Sequence, residues 1–296
     1  MALLFENHLK SLVAVGQYTG ENKFICDSTS FLIGFVAQKS EKPEEQRYRL
    51  FLVTNKHVFE GRESVQLRFN TAEGKTTTFK QDLFFPNKEI RWLAHENSDI
   101  DLALLNVNPQ ILQSNGVQPI FIAEEFFAYF KDFNEIGISA GDDVYVIGFP
   151  MGIAGEEQNY PCVKAGLISR IDKEVVNMKK QFIIDSSIFP GNSGGPVVLK
   201  PTSISLEGTK AVGKSFLIGV ISSYLPYEDK LYTHQTNPHS VVSLTRENSG
   251  LSFCVPMDFI KDIYDKWIAN QKQIEEPQVN KNPSNTDNQV EAKLNK

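Results

Sequence analysis

Gly-Asn-Ser-Gly-Gly-Pro, residues 191–196, is the stretch of the chain that says most about its fold and chemistry. Glycine weakens strands and costs conformational entropy, so glycines this close to a serine are a poor choice for packing alone. They suit a serine hydroxyl that a carbonyl group must approach closely. The backbone N–H groups of Gly191 and Ser193 are then candidates to stabilise the oxygen that becomes negative when Ser193 attacks.

A serine nucleophile needs a base and a group that orients the base, and two upstream segments offer them. His57 lies in Phe-Leu-Val-Thr-Asn-Lys-His-Val, residues 51–58, and Asp101 lies in Ser-Asp-Ile-Asp-Leu-Ala-Leu-Leu, residues 98–105. Taken singly, the histidine is equally an ordinary residue at a strand end, and the aspartate an ordinary turn carboxylate. Asp99 is a rival to Asp101, because a spacing of two places both on one face of a strand.

A different fold also uses a serine between glycines. The pattern Gly-x-Ser-x-Gly at residues 191–195 occurs at the nucleophile elbow of α/β-hydrolases. That fold needs the order serine, aspartate, histidine, which Asp229 with His234 or His239 would supply. The elbow runs from a strand directly into a helix, whereas Pro-Val-Val-Leu at residues 196–199 indicates a strand. The order histidine, aspartate, serine is therefore favoured.

Most of the chain has the pattern of short strands. Apolar and polar residues alternate at 65–69, and short apolar runs occupy residues 48–54, 144–148, 182–184 and 216–221. Many short strands separated by turn residues are typical of barrels and sandwiches. The sequence therefore predicts an all-β fold.

The three motifs together resemble the trypsin-like (chymotrypsin-fold) serine peptidases, and within them the bacterial HtrA/Deg-type branch. Thr-Asn-Lys-His-Val at residues 54–58 is similar to the family's histidine motif, and Asp-Leu-Ala-Leu-Leu at 101–105 to its aspartate motif. Pro-Gly-Asn-Ser-Gly-Gly-Pro at 190–196 is similar to its serine motif. Weaker similarities occur in the family's order at residues 29–33, 146–150, 165–170, 217–221 and 252–256.

The resemblance implies two packed six-stranded antiparallel β-barrels and a C-terminal helix. The first barrel with its linker would span residues 1–135 and carry His57 and Asp101. The second barrel with the helix would span residues 136–274 and carry Ser193. The active site would then lie in the cleft between the barrels. A PDZ domain, which is common after the protease domain in the HtrA branch, does not fit in the residues that remain.

The activity implied by the resemblance is that of a serine endopeptidase, which cleaves protein or peptide substrates through an acyl-enzyme. His57 would be the base, Ser193 the nucleophile, and Asp101 the orienting carboxylate, because the family's motif favours it over its rival. Gly191, Asn192 and Ser193 would form the oxyanion hole. No cofactor or metal is expected, since the histidines lack ligand spacing. The alternative from another class is a latent or inactive trypsin-fold module that binds or regulates partners.

A substrate pocket is also implied by the resemblance, and its expected lining residues are Ser187, Ile188, Ser222, Ser223 and Tyr224. Ser187 replaces the carboxylate that recognises basic residues in trypsin, and the bulk of Tyr224 narrows the pocket. A small or uncharged residue before the scissile bond is expected. Residues 226–249 form a long polar connection, for which a substrate-recognition or regulatory loop is the expectation.

Asn192 bears on how the activity is controlled. In the digestive branch of the family, an aspartate before the serine pairs with the N-terminus that zymogen cleavage creates. An asparagine cannot form that ion pair. The resemblance therefore implies control through loop ordering, self-association or a regulatory protein partner.

Composition and charge exclude several other classes. The chain of 296 residues has a net charge of −6 and no dense basic block, which argues against a nucleic-acid partner. No apolar run is long enough to cross a bilayer, and the first residues lack the pattern of a signal peptide. Cys26, Cys162 and Cys254 are odd in number and have no metal-type spacing. Together these features predict a cytoplasmic protein without a membrane partner.

Two further segments have helical patterns. An aromatic cluster at residues 126–133 is interpreted as buried packing near a short helix. After Pro256, apolar residues at helical spacing predict an amphipathic helix packed on the second barrel. Its apolar positions are Ile260, Ile263, Tyr264, Trp267 and Ile268. Residues 275–296 lose their aromatics and are rich in Asn, Gln and Pro, so a disordered tail is predicted.

Overall fold

A computed structural model describes residues 4–21, 23–42, 45–232 and 241–275 of the chain. Its strands are β1 (Leu12–Tyr18), β2 (Phe24–Gln38), β3 (Arg47–Thr54), β4 (Ser64–Asn70), β5 (Thr76–Asp82), β6 (Leu93–Ala94), β7 (Ala103–Val107), β8 (Ile122–Ala123), β9 (Asp143–Gly148), β10 (Cys162–Arg170), β11 (Phe182–Asp185), β12 (Pro196–Leu199), β13 (Leu217–Tyr232) and β14 (Val241–Pro256). Its α-helices are α1 (Glu6–Lys10), α2 (Lys56–Phe59), α3 (Pro109–Ser114), α4 (Phe133–Ile136), α5 (Lys173–Lys179) and α6 (Met257–Glu275).

The N-terminal half is one sheet in the order β5-β4-β1-β2-β3-β7-β6, and β8 joins β2 by parallel pairing. Every other pair in this sheet is antiparallel. Buried side chains of β1, β3, β4 and β7 meet in one core, so the sheet curls around that core. The described hydrogen bonds do not close this sheet, and it has eight strands where the sequence predicted six.

The C-terminal half is the closed six-stranded barrel that the sequence predicted. Its strand order is β10-β11-β14-β13-β12-β9, and all neighbours are antiparallel. Alternate residues of these strands point into a common apolar interior, which includes Val144, Val146, Phe182, Ile184, Val197 and Ile218. The all-β fold class with a C-terminal helix is therefore confirmed.

A third apolar core joins the two halves. It contains Phe31 and Phe51 from the N-terminal sheet, and Val220 and Val255 from the barrel. Helix α6 begins directly after Pro256 as predicted, but it covers more than the second barrel. Tyr264 stacks on Phe35 of β2 with ring centroids 3.8 Å apart, and it meets Phe51 of β3 edge to face. Helix α6 therefore also packs on the N-terminal sheet.

Two predictions about connecting segments have different outcomes. Residues 226–232 are not a loop but extend β13, and they pair with β14 as far as Val241. The aromatic cluster forms short 3₁₀ turns followed by α4, and Phe127 and Phe133 are buried as expected. The two candidate histidines of the hydrolase alternative and the predicted tail beyond residue 275 lie outside the described residues. Within the described ranges, no helix is both long enough and apolar enough to cross a membrane.

Candidate active site

His57 and Asp101 are in direct contact. Helix α2 starts immediately after β3 and carries His57, whose ring Nδ1 lies 2.7 Å from Asp101 Oδ2. The backbone N–H of His57 donates to the other carboxylate oxygen at 3.0 Å. Buried Asn55 donates to the Asp101 carbonyl oxygen at 2.8 Å, which fixes the backbone that carries the carboxylate. These bonds hold the imidazole and the carboxylate in one orientation.

Ser222 also contacts Asp101, a role that the sequence did not predict for it. Its hydroxyl donates to Asp101 Oδ2 at 2.8 Å, and the residue is buried. Burial alone would raise the pKa of Asp101, but the hydrogen bonds from His57 and Ser222 outweigh it and hold the pKa below its ordinary value. The carboxylate is therefore ionised near neutral pH. The rival Asp99 is exposed, and its backbone N–H is bonded to Asn97 Oδ1 at 2.9 Å.

The loop before Ser193 makes a tight turn. The Asn192 N–H donates to the Phe189 carbonyl at 3.0 Å, and Pro190 is followed by Gly191 with φ +98°, as in a type II turn. A Cβ at Gly191 would lie 2.3 Å from the carbonyl oxygen of Phe149, so the position requires glycine for space as well as for conformation. The fully buried Asn192 accepts the Phe189 N–H at its Oδ1, 3.0 Å away. The asparagine thus closes its own turn.

Thr29 in β2 ties this loop to the N-terminal half. Its N–H donates to the Ser193 carbonyl at 2.9 Å, and its hydroxyl donates to the Gly191 carbonyl at 2.6 Å. Gly194 packs between Thr29 and Thr54, since a Cβ there would lie 2.2 Å from the Thr29 carbonyl oxygen and 2.3 Å from Thr54 Oγ1. Because Thr54 is three residues before His57, the serine loop lies beside the segment that carries the histidine.

Two further contacts orient the loop. Gly194 donates to the carbonyl of Ile221 at 3.0 Å, next to the Ser222 that bonds Asp101. Met151 donates to the carbonyl of Pro190 at 2.6 Å. A trans peptide holds its N–H opposite its C=O, so the Gly191 N–H points away from Met151.

The hydrogen bonds of the described residues leave three groups of the site without a protein partner. The N–H groups of Gly191 and Ser193 donate to none of these residues. The third group is the Ser193 hydroxyl, which forms no hydrogen bond with His57 within the described ranges. The structure thus brings His57 and Asp101 into contact and sets the serine loop beside them, without the third contact of the predicted triad. No group of three or more His, Cys, Asp or Glu residues in the described part of the chain is arranged to hold a metal ion.

In a comparison with family models, residues 34–202 match a model described as a trypsin-like peptidase domain. This range is more than half of the chain and contains all three predicted catalytic residues. The chain belongs to the trypsin-like peptidase family.

Solved structures similar to this trypsin-like peptidase include two proteases. The HtrA-type protease AlgW with a tripeptide is 18% identical and has a TM-score of 0.46; the alignment covers 90% of this chain and 64% of that one. The MamO protease domain from Magnetospirillum magneticum is 14% identical with a TM-score of 0.46, covering 88% and 98%. The chain thus spans under two thirds of the AlgW length. No curated protein matches the sequence.

The predicted pocket residues of this trypsin-like peptidase differ in their surroundings. Ser187, Ser223 and Tyr224 are exposed near the serine loop, whereas Ile188 is buried in the barrel core. Asn248, which the sequence did not single out, donates to the Ile188 carbonyl at 2.6 Å and so joins β14 to the segment that carries Ser187 and Ile188. Its position in a polar stretch gave no signal for this role.

Proposed function

We propose that this trypsin-like peptidase is a serine endopeptidase that cleaves protein or peptide chains through an acyl-enzyme. The observation that carries the proposal is the pair of hydrogen bonds, 2.7 and 3.0 Å long, between His57 and Asp101. The anchoring of the serine loop by Thr29 supports it, because that contact holds Ser193 next to the histidine segment. A nucleophile, a base and an orienting carboxylate are the groups that acyl transfer needs.

In the proposed reaction Ser193 Oγ attacks the substrate carbonyl carbon while His57 Nε2 accepts the hydroxyl proton. Asp101 accepts the Nδ1–H throughout and stabilises the imidazolium, because its lowered pKa keeps it ionised. The negative oxygen is stabilised by the N–H groups of Gly191 and Ser193, each worth roughly 3 kcal/mol in comparable sites. His57 then gives the proton to the leaving amine as the C–N bond breaks. Water attacks the acyl-enzyme in the same way, with His57 as the base, and the acid is released from Ser193.

The pocket is proposed to take a small or uncharged residue before the scissile bond. Ser187 offers a neutral hydroxyl rather than a carboxylate, and the bulk of the partly exposed Tyr224 would narrow the proposed pocket. Cleavage of a peptide library with one varied position tests this preference. Small aliphatic residues should dominate there, and a dominance of Arg and Lys would contradict the proposed pocket.

Labelling of the active serine tests the function itself. A fluorophosphonate probe should label the wild-type protein, and Ser193→Ala and His57→Ala should both abolish the labelling. Ser203→Ala, at an exposed serine in the loop after β12, is the matched control and should label like the wild type. Labelling that survives Ser193→Ala would overturn the assignment of the nucleophile.

A latent or inactive binding module is the second candidate, and the missing Ser193–His57 hydrogen bond among the described residues favours it. If folded wild-type protein is not labelled, the protein is either latent or inactive. Labelling that appears when a peptide is added would identify a latent enzyme. Apo enzymes often form their catalytic hydrogen bonds only with substrate bound, which is why the endopeptidase remains the proposal.

A further inference from the structure

A cavity of about 540 Å³ opens between the N-terminal sheet and residues 152–156, the segment after β9. Its wall includes Lys23, Cys26 and Arg68 from the sheet. Its wall also includes Gly152, which lies next to the serine loop, since a Cβ at Gly191 would lie 3.3 Å from the Gly152 nitrogen. The predicted substrate pocket contributes none of the residues that line the cavity. The cavity is therefore distinct from the predicted pocket.

Arg68 on β4 is a buried cation beside this cavity. The residue is only 7% exposed, and its guanidinium donates to the carbonyls of Gly155 at 2.7 Å and Glu156 at 3.2 Å. No carboxylate of the described residues forms an ion pair with it, and its Nε is buried without a hydrogen-bond partner. Arginine is almost never buried unless it is paired, because an uncompensated charge is costly to bury.

The guanidinium also lies over the Phe24 ring, 5.3 Å from its centroid, but none of its neighbours among the described residues carries a compensating negative charge. The segment after β9 has a second attachment that needs no charge. Asn159 already holds this segment to β4, because its N–H donates to Asn70 Oδ1 at 2.7 Å and its side-chain amide donates to the Arg68 carbonyl at 2.6 Å. These bonds use neutral groups and the backbone of Arg68, not its guanidinium. The exposed Lys23 adds a second positive charge to the wall, and Glu156 is the one acidic residue among the lining residues.

We propose that this cavity binds a carboxylate carried by the part of the substrate that leaves with the new amino end, and that Arg68 and Lys23 recognise it. The inference rests on the proposed function, in which the acyl part of the substrate occupies the pocket at Ser187 and Tyr224. In this proposal the leaving part passes Gly191 toward the cavity, because Gly152 of the cavity wall lies next to that glycine. The carboxylate belongs either to an acidic side chain or to the C-terminus of the substrate.

Paired peptides test the inference. In each pair one peptide carries Glu and the other carries Gln at the same position, which is one of the first three after the scissile bond. In a further pair the peptide ends within these three positions, in a free acid in one member and in an amide in the other. One pair should show at least about a tenfold preference in kcat/KM for the acid, as expected for a charge-assisted hydrogen bond. The pair that responds distinguishes a side chain from a terminus. Equal cleavage of all pairs would overturn the inference and leave the proposed function intact.

Variants assign the preference to the cavity. Arg68→Gln and Lys23→Gln should reduce the ratio of acid to amide cleavage, and Arg68→Lys should keep part of it. Lys39→Gln removes another exposed lysine of the N-terminal half, outside the cavity lining, and should leave the ratio unchanged. A ratio that Arg68→Gln and Lys23→Gln leave unchanged would overturn the assignment, even if Arg68→Gln lowers the overall rate.

Binding tests the site if turnover is absent. Fluorescent peptides that represent the leaving part are titrated into the Ser193→Ala protein and followed by anisotropy. The acidic peptide should bind at least about tenfold more tightly than its Gln or amide partner, and Lys23→Gln should weaken it. Equal affinities would overturn the site. The labelling experiment reports separately on the proposed function.

Discussion

Replacement of Thr29 by valine should destabilise the protein and loosen the serine loop together. The hydroxyl donates to the Gly191 carbonyl at 2.6 Å and accepts the Phe149 N–H at 3.0 Å, and the residue is fully buried. Valine has the same shape but no oxygen, so both backbone groups lose their partner. Each buried group left unsatisfied costs about 1–3 kcal/mol, which gives a loss of at least about 2 kcal/mol.

Thr29→Ser is the matched control for this prediction. Serine keeps the hydroxyl and loses one buried methyl group, for which a loss of about 1 kcal/mol is expected. Urea-induced unfolding gives both free energies of unfolding. The rate of fluorophosphonate labelling should fall at least about tenfold in Thr29→Val, because the Gly191 peptide is no longer held, and much less in Thr29→Ser. If serine and valine had equal effects on stability and labelling, the two hydrogen bonds would not be what holds the loop.

Two further predictions concern Gly194 and Asp101. Gly194→Ala should cost more than about 3 kcal/mol, because its Cβ would meet the Thr29 carbonyl at 2.2 Å with φ at +82°. Gly61→Ala, with φ +74° and no atom within 4 Å, is the matched control and should cost about 1 kcal/mol; equal melting temperatures would contradict the clash. Since the pKa of Asp101 is lowered in the folded state, its stabilising contribution is present above the ordinary value of 3.8 and is lost as the pH falls below it. The difference in urea midpoint between wild type and Asp101→Asn should therefore narrow between about pH 6 and about pH 3, and a constant difference would refute this linkage.

The strands that bury one face were predictable from the sequence, and those exposed on both faces were not. The alternation of apolar and polar residues at 65–69 predicts β4, because the apolar residues of this strand face the core. The outer part of β13 contains Glu228, Asp229 and Lys230, all of which are exposed. Apolar and polar residues therefore do not alternate along this part of the strand. Cross-strand contacts such as the 2.9 Å ion pair of Arg246 with Glu228 lie there instead. The outer part of this strand pair has the composition of a loop, and for that reason the sequence predicted a loop there.

The residues of the proposed catalytic site can be recognised in the sequence, whereas the contacts that support them cannot. The order of His57, Asp101 and Ser193 is visible in the chain because each is embedded in a distinctive run. Thr29 bonds a carbonyl 162 residues away, and Ser222 bonds a carboxylate 121 residues away. A small hydroxyl residue gives no sign in a single sequence of which distant group it will meet. Only the packing of the two halves brings these partners together.

The turn before Ser193 and the proposed recognition of charge depend on different kinds of group. Neutral groups hold the turn: the Asn192 amide oxygen, the Thr29 hydroxyl and the Met151 N–H. None of them titrates near neutral pH, and hydrogen bonds between neutral groups are little affected by salt. This arrangement supports the expectation that no ion pair with a newly cut N-terminus is needed to form the turn. The exposed charge of Lys23 belongs to the cavity wall, so salt should weaken the proposed preference for an acidic substrate, whereas the neutral bonds of the turn should be little affected.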